Sequence, residues 1–386
     1  MIPMAVIFDK VKNYRCLPLQ ASMAKALQGL KLDLAGKKSA FIKVNIVRPA
    51  RPASAVVTHP AVVEALIRVL RDSGINEITI GEGPAVGVNA ERAFGKAGYV
   101  SLARKTGVQL LDLHRSERVK VPWAYGDLEL PLEAISCDLY ITVAKMKTHY
   151  HTGVTLAVKS QQGLLTPQAK KANHRDRDLH RSLVAIAGAI RPDWVIIDGI
   201  EAMEGEGPTQ GKKKRTEVMV YGDDLFETDI ACCHFMGVDP GEIEHLRGAV
   251  EEGLATFESQ AKERAEALRR SVFVMPSPKP KRLLNFYSWK NYRACAEDDH
   301  CFEEAIHWAL GKPKYWIPFF PKFLKFVLFR RFHLLRGKGA IIPQEPGRVL
   351  CLGDCCRDIA AARGADFVPG CPPKPEDIIK TVARMK

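Results

Sequence analysis

The chain lacks the patterns that would assign it a chemistry at once. It contains no GxGxxG and no GxxxxGK(S/T), so nothing specifically calls for a dinucleotide or a P-loop nucleotide. It contains no CxxC, and no repeat of fixed period stands out. The opening residues, MIPMAVIFDKVKNYRC, show no basic stretch followed by a long apolar run, so neither a secretory signal nor an N-terminal transmembrane helix is expected. Cytoplasmic folding follows as the expectation. In that compartment clustered cysteines more often mean metal or redox chemistry than disulfides.

What is present is enough apolar chain for a large core: 386 residues, 46% hydrophobic. The net charge of +13 is concentrated. Arg269 to Lys338 holds 15 lysines and arginines against 5 acidic residues, and the remainder is nearly neutral. An even spread would point to nucleic acid or a membrane; this distribution points to one basic segment.

The first two thirds alternate between strand and helix patterns. FIKVNIV (41–47) reads as a strand, and from Thr58 and Pro60 the residues Val62, Val63, Leu66, Val69 and Leu70 recur at helical spacing up to Gly74. Further strands are expected at 77–84, 139–146, 194–200 and 217–222, with helices near 179–190 and 225–236. The fold class expected is α/β, a mostly parallel sheet or sheets flanked by helices in one or two lobes, with a small C-terminal cysteine-bearing β-α segment. Residues 252–270 read as an exposed helix, and PSPKPKR (276–282) as a boundary. The expected division is an α/β domain over 1–270, a basic aromatic insertion or linker over 271–345, and a cysteine-rich segment over 346–386 packing on the main domain.

In such sheets ligands bind beyond the carboxyl ends of the strands. Lys43 and Asn45 alternate near the end of the first strand and project from one face. The segment after LYITVAKM offers Lys145, Lys147, Thr148, His149, His151 and Lys159; that after WVIIDGI offers Asp198, Glu201, Glu204 and Glu206. A basic loop opposite an acidic, glycine-rich one would bind a small anion and present a general acid or base to it. His149 and His151 would share one side of an extended segment, with hydrogen bonding to substrate favoured over a metal for want of a third ligand.

KVNIV, VVTHPAVVEALIRVLRDSG, ITIGEGP, AKMKTHYHTGVTLAVKSQQG, IIDGIEAMEGEGPTQG and ETDIACCHFMG, in that order, closely resemble the domain-of-unknown-function 362 family, for which an iron-sulfur centre has been proposed. The resemblance covers residues 1 to about 255. It implies a two-lobed α/β protein whose shared polar residues match Lys43, Asn45, His59, Lys147, Thr148, His149, Lys159, Asp198, Glu204 and Asp229. Many members carry a ferredoxin insert with C-x2-C-x2-C-x3-C-P spacing, which this chain does not have. The expected site therefore has Glu204, Asp229 and His149 as catalytic groups and Lys43, Asn45, His59, Lys147, Thr148, Lys159 and Asp198 as groups that bind a small anionic substrate.

Four of the ten cysteines fall within LCLGDCCRDIAAARGADFVPGCPP: Cys351, Cys355, Cys356 and Cys371. Thiolates suit iron-sulfur clusters, and a proline after a cysteine stiffens its turn. The GDCC and VPGCPPKPE elements are similar to those of the small cluster-bearing subunit of respiratory complex I. A 4Fe-4S cluster on these four is the expectation, against zinc, disulfides or inert buried thiols. Cys295 or Cys301, from CAEDDHC, is the alternative ligand to one of the adjacent pair. Cys232 and Cys233 read as core, and Cys16 and Cys137 as structural.

The segment 312–339, KPKYWIPFFPKFLKFVLFRRFHLLRGKG, has eight aromatic residues from Tyr315 to Phe332. Its two prolines after Tyr315, Pro318 and Pro321, would break any long helix, and its lysines prevent it from spanning a bilayer. It suits a membrane surface or a redox partner protein, a core-packing helix pair or an oligomer interface, and nucleic acid is not expected. Two functions stand side by side: an iron-sulfur enzyme acting on a small anion, and a membrane-associated electron-transfer or assembly protein that turns nothing over.

Overall fold

The apolar, β-branched runs at 40–44, 139–146 and 194–200 are long enough to be covered on both sides, and they form the centre of a sheet. The structure is a computed structural model that describes residues 6–175, 177–276, 281–283, 286–290, 301–329, 331–336, 347–370 and 373–385. It divides into two units, Met1–Pro276 and Ser277–Lys386.

The first unit contains β1 (Val6–Lys10), β2 (Ser39–Val44), β3 (Glu77–Glu82), β4 (Gln109–Asp112), β5 (Arg118–Trp123), β6 (Gly126–Pro131), β7 (Leu139–His149), β8 (Gly153–Thr155), β9 (Trp194–Glu204), β10 (Lys212–Arg215) and β11 (Val218–Gly222). The main sheet has the order β1-β11-β9-β7-β2-β3-β4. From β9 to β4 the strands are parallel, whereas β11 runs antiparallel to β9 and β1 to β11. Strands β5 and β6 form a separate hairpin. All eleven residues of β7 are buried, as a central strand covered on both faces requires.

Side chains alternate between those faces. Ile42, Val44, Ile141 and Val143 join one core, and Phe41 and Tyr140 another. Helix Pro60–Asp72 lies on the first core with Val62, Val63, Leu66, Val69 and Leu70 buried, as its spacing predicts. Proline occupies its first turn, where no backbone donor is needed, and His59 accepts from Ala61 N at its N-cap. The helix expected over 252–270 is shorter, Lys262–Leu268. Gly253 takes φ +71 and Ser259 Oγ accepts from Ala261 N, so the chain turns before it winds.

The second unit has β12 (Lys281–Leu283), β13 (Phe286–Lys290), β14 (Phe332–Arg336), β15 (Arg348–Leu352) and β16 (Asp366–Val368), adjacent in that order. All neighbours after the β12-β13 pair are parallel. Strand β14, from the aromatic segment, pairs with β15, which carries Cys351. The division between the units falls at Pro276, six residues beyond the expected Arg270, and one sheet contains both β14 of the aromatic segment and β15 of the cysteine segment.

The aromatic segment holds a 17-residue helix, Pro313–Phe329, that continues through Pro318 and Pro321. A proline inside a helix costs about 3 kcal/mol. Burial of Phe319 and Phe326, with Phe323 and Trp316 packed beside them, offsets that loss, which the sequence reading overlooked. Among the described residues no helix is long and apolar enough to cross a membrane.

Candidate functional site

Parallel strands end together, so the polar residues at their carboxyl ends gather along one edge of the sheet. Lys145 on β7 and Asp198 on β9 are register partners. Their side chains pair at 2.8 Å and neither is exposed to solvent. Asp198 also accepts from Tyr14 Oη at 2.9 Å and from His59 N at 3.0 Å. Lys145 Nζ donates to Tyr14 Oη at 3.1 Å, and that oxygen accepts again from Glu201 N. The Tyr14 ring stacks on His59 with centroids 3.8 Å apart. Burial, then the Asp198 charge, pushes the Tyr14 hydroxyl well above its ordinary range, so it stays protonated. Burial likewise lowers the His59 imidazole. His59 Nδ1 accepts from Ala61 N, which leaves the proton of the neutral ring on Nε2.

Lys43 lies on the opposite face, since its neighbours Ile42 and Val44 share the core beneath Lys145. Its ammonium is buried and pairs with Glu82 at 3.0 Å, donating also to Val44 O and Ser160 Oγ. The backbone of Gly163 closes over this pair. A Cβ at that position would sit 2.6 Å from Lys43 Nζ, so any other residue must push the buried pair aside.

Three more lysines approach the same carboxylate. Lys147 is fully buried and donates to Val56 O at 2.7 Å; Lys159 donates to Gln162 Oε1 at 2.7 Å. Lys170 donates to Gly83 O at 2.7 Å and Pro84 O at 2.8 Å, and meets His114 Nε2 at 2.9 Å. These partners are neutral. Glu82 is the carboxylate whose charge favours the ammonium forms of Lys43, Lys147, Lys159 and Lys170. Burial is the larger effect in each case. It holds Lys147 well below the usual lysine range and brings Lys159 to about 8 and Lys170 to about 7. Asn45, beyond the end of β2, is buried with its amide oxygen lacking a hydrogen-bond partner.

Other expected site residues have structural partners. Asp229 is buried and accepts from Ala157 N at 2.8 Å and Val158 N at 2.9 Å, so it caps the turn that carries Lys159. Burial outweighs those bonds and raises its carboxyl to about 8. Thr148 Oγ1 donates to Gly205 O. The glycine-rich part of the acidic segment, 205–211, is a turn against the basic one, with Tyr150 N donating to Gly207 O at 3.1 Å, but its acidic residues Glu201 and Glu204 belong to a strand. Strand β9 continues to Glu204 and pairs with β10, where Lys213 meets Glu201 at 3.1 Å and Lys214 meets Glu204 at 2.7 Å. These lysines neutralise it locally. His149 and His151 do not share one side either: β7 ends at His149, whose Nδ1 accepts from His151 N across the turn, while the His151 ring lies 6.0 Å from that of His180.

Tyr14, Glu82, Gly163 and Lys170 were not singled out from the sequence. Glu82, at the end of an apolar strand and before a glycine, carried a readable signal; the other three had none.

In the second unit Cys351 and Cys356 are fully buried in one small cluster with Leu335 and Ala360. Burial pushes the Cys351 thiol up to about 12. Cys295 and Cys371 lie outside the described residues, as do the side chains of Cys301 and Cys355. Among the described residues no group of three or more His, Cys, Asp or Glu side chains is arranged to hold a metal ion. Cys232 and Cys233 are buried in the core, as expected.

A parallel sheet with a lysine-rich polar edge defines an α/β protein with its candidate site at the strand ends. The chain belongs to the domain-of-unknown-function family DUF362, whose model matches residues 41–234. It is 28% identical over 219 residues to a thylakoid-associated protein of Synechocystis, covering 55% of this chain and 68% of that one. Among solved structures it is similar to the lactate racemase apoprotein from Thermoanaerobacterium thermosaccharolyticum (TM-score 0.40, 17% identity, 61% of this chain and 57% of that chain). It is also similar to a Thermotoga maritima protein (TM-score 0.41, 14% identity, 93% of each chain). The chain thus spans little more than half of the racemase's length.

Proposed function

We propose that the first unit is an enzyme for a small carboxylate- or phosphate-bearing substrate, bound by the lysines at the strand ends. Lys147 carries the argument: a fully buried ammonium whose hydrogen bond goes to a backbone carbonyl, beside Lys145, Lys159 and Lys43. An unpaired buried ammonium is costly and is held near neutrality unless an anion arrives to pair with it. In this reading Lys147 binds the substrate's charge and the Asn45 amide contacts its polar remainder. Lys159, at about 8, moves a proton to or from the substrate near neutral pH. Lys43 and Glu82 form the fixed floor, with Gly163 closed over them. Asp229 positions Lys159, and the Lys145, Asp198, Tyr14 and His59 network positions the end of β7. Glu204 and His149 serve the hairpin and the turn. Calorimetric titration of sulfate and a panel of short carboxylates into the full chain, beside Lys147→Met, tests this. Saturable binding lost in the variant is expected; equal binding by both proteins would overturn the reading.

The second unit is proposed to hold a 4Fe-4S cluster on Cys351, Cys355, Cys356 and Cys371, with zinc as the alternative metal. Two of these thiols are described, both buried and in one cluster, which suits soft donors shielded from water and supplies half of the set a cluster needs. When bound, such a cluster supplies one-electron transfer. Iron and acid-labile sulfide on anaerobically purified protein, compared with Cys371→Ser, test it. Unchanged iron in that variant removes Cys371 as a ligand.

A further inference from the structure

Helix Pro313–Phe329 is apolar around most of its circumference, a pattern expected of a helix enclosed on every side. It is enclosed on one side. Phe319 and Phe326 are buried in the core of the second unit. On the opposite side Ile317 (68% exposed), Phe320 (40%), Leu324 (40%) and Leu328 (43%) follow at three- and four-residue steps and form one open stripe, with Phe329 (79%) at its end. Such a contiguous apolar surface marks an interaction site.

The charge beside the stripe identifies its occupant. From Ala305 to Gln344 the sequence has no acidic residue and eight lysines and arginines, of which Lys314 and Lys325 are exposed next to the stripe. A second copy of the chain would bring like charges face to face, whereas an anionic bilayer complements both the apolar stripe and its cationic border. We infer that this face docks on an anionic lipid surface. The helix lies in the interface plane, with Ile317, Phe320, Leu324 and Leu328 at the acyl boundary and Lys314 and Lys325 against lipid phosphates. The inference is independent of the anion site in the first unit.

Co-sedimentation of the full chain with phosphatidylcholine vesicles, with and without about 30% phosphatidylglycerol, tests it. Binding to the anionic vesicles, weakening as salt is raised, is expected. Ile317→Asp with Leu324→Asp places two charges at the acyl boundary and is expected to weaken binding more than about tenfold. Lys314→Gln and Lys325→Gln each weaken it about fivefold. All four positions are exposed, and an unchanged thermal melt shows that the variants fold. Failure to sediment with anionic vesicles, or full binding by the double aspartate variant, overturns the inference. So does a dimer, seen by sedimentation equilibrium and lost in that variant, in a protein that ignores vesicles, since the face would then join two copies of the chain.

Discussion

If the proposed site is right, binding of an anion at the lysine cluster draws protons from solution, in an amount set by the unprotonated fraction of the buried lysines. Lys170 lies at about 7 and Lys159 at about 8. At pH 8, Lys170 is then about one tenth protonated and Lys159 about one half. An anion on Lys147 and Lys159 favours the charged forms of Lys159 and of its electrostatic neighbour Lys170, and raises both values. Full restoration of charge takes up about 1.4 protons per anion at pH 8 and about 0.1 at pH 6. Lys147, also held low by burial, adds to that total. The sign is fixed: binding takes protons up, so affinity falls as pH rises through 7 and 8. Sulfate is the suitable probe because it does not titrate in this range. Its binding heat, measured in two buffers of different ionisation enthalpy, yields the proton count directly. Uptake near one proton or more at pH 8, shrinking towards pH 6, is expected. Zero uptake at pH 8, or proton release, would refute the claim that these lysines meet the anion.

Three substitutions probe the scaffold under the site. Asp198→Ala leaves Lys145 buried without its carboxylate and removes three hydrogen-bond acceptances; a loss of about 3–5 kcal/mol in urea unfolding is expected, and a loss under about 1 kcal/mol would show that the pair is not closed as described. Lys147→Met replaces a buried amine that has no ionic partner with an apolar chain of similar length, so it should stabilise the fold by about 1 kcal/mol or more while abolishing anion binding. A destabilised variant would mean that the ammonium is a structural element. Gly163→Ala forces a Cβ against Lys43 and Glu82 and is expected to cost about 1–3 kcal/mol and to weaken sulfate binding; a neutral outcome on both measures would show that the loop has room to move.

The architecture was legible wherever periodicity dominates. Helix Pro60–Asp72 follows from the apolar spacing behind a proline, and the central strands from uninterrupted β-branched runs. The acidic residues after WVIIDGI misled, because their partners lie ten or more positions on in β10, and only the pairing of β10 with β9 brings Lys214 diagonally within reach of Glu204. Helix Pro313–Phe329 was hidden by its prolines, whose local cost is outweighed by aromatic burial that no local pattern reports. The site was legible in type and not in arrangement. Lys43, Lys147 and Lys159 could be chosen because they lie at or just beyond strand ends in a mostly parallel sheet. Tyr14 could not, since it reaches Asp198 across 184 positions of sequence. Lys170 sits in PQAKKANHR, which reads as a polar surface helix, and its role appears only when the helix sets it against Gly83 and Pro84.

The most direct test of the lysine site is anomalous diffraction from crystals soaked in selenate. A selenium peak within hydrogen-bond distance of Lys147 Nζ, with Lys159 and Asn45 turned towards it, is the predicted result. Selenate found on surface lysines alone, with Lys147 still bonded to Val56 O and nothing beside it, would contradict the account.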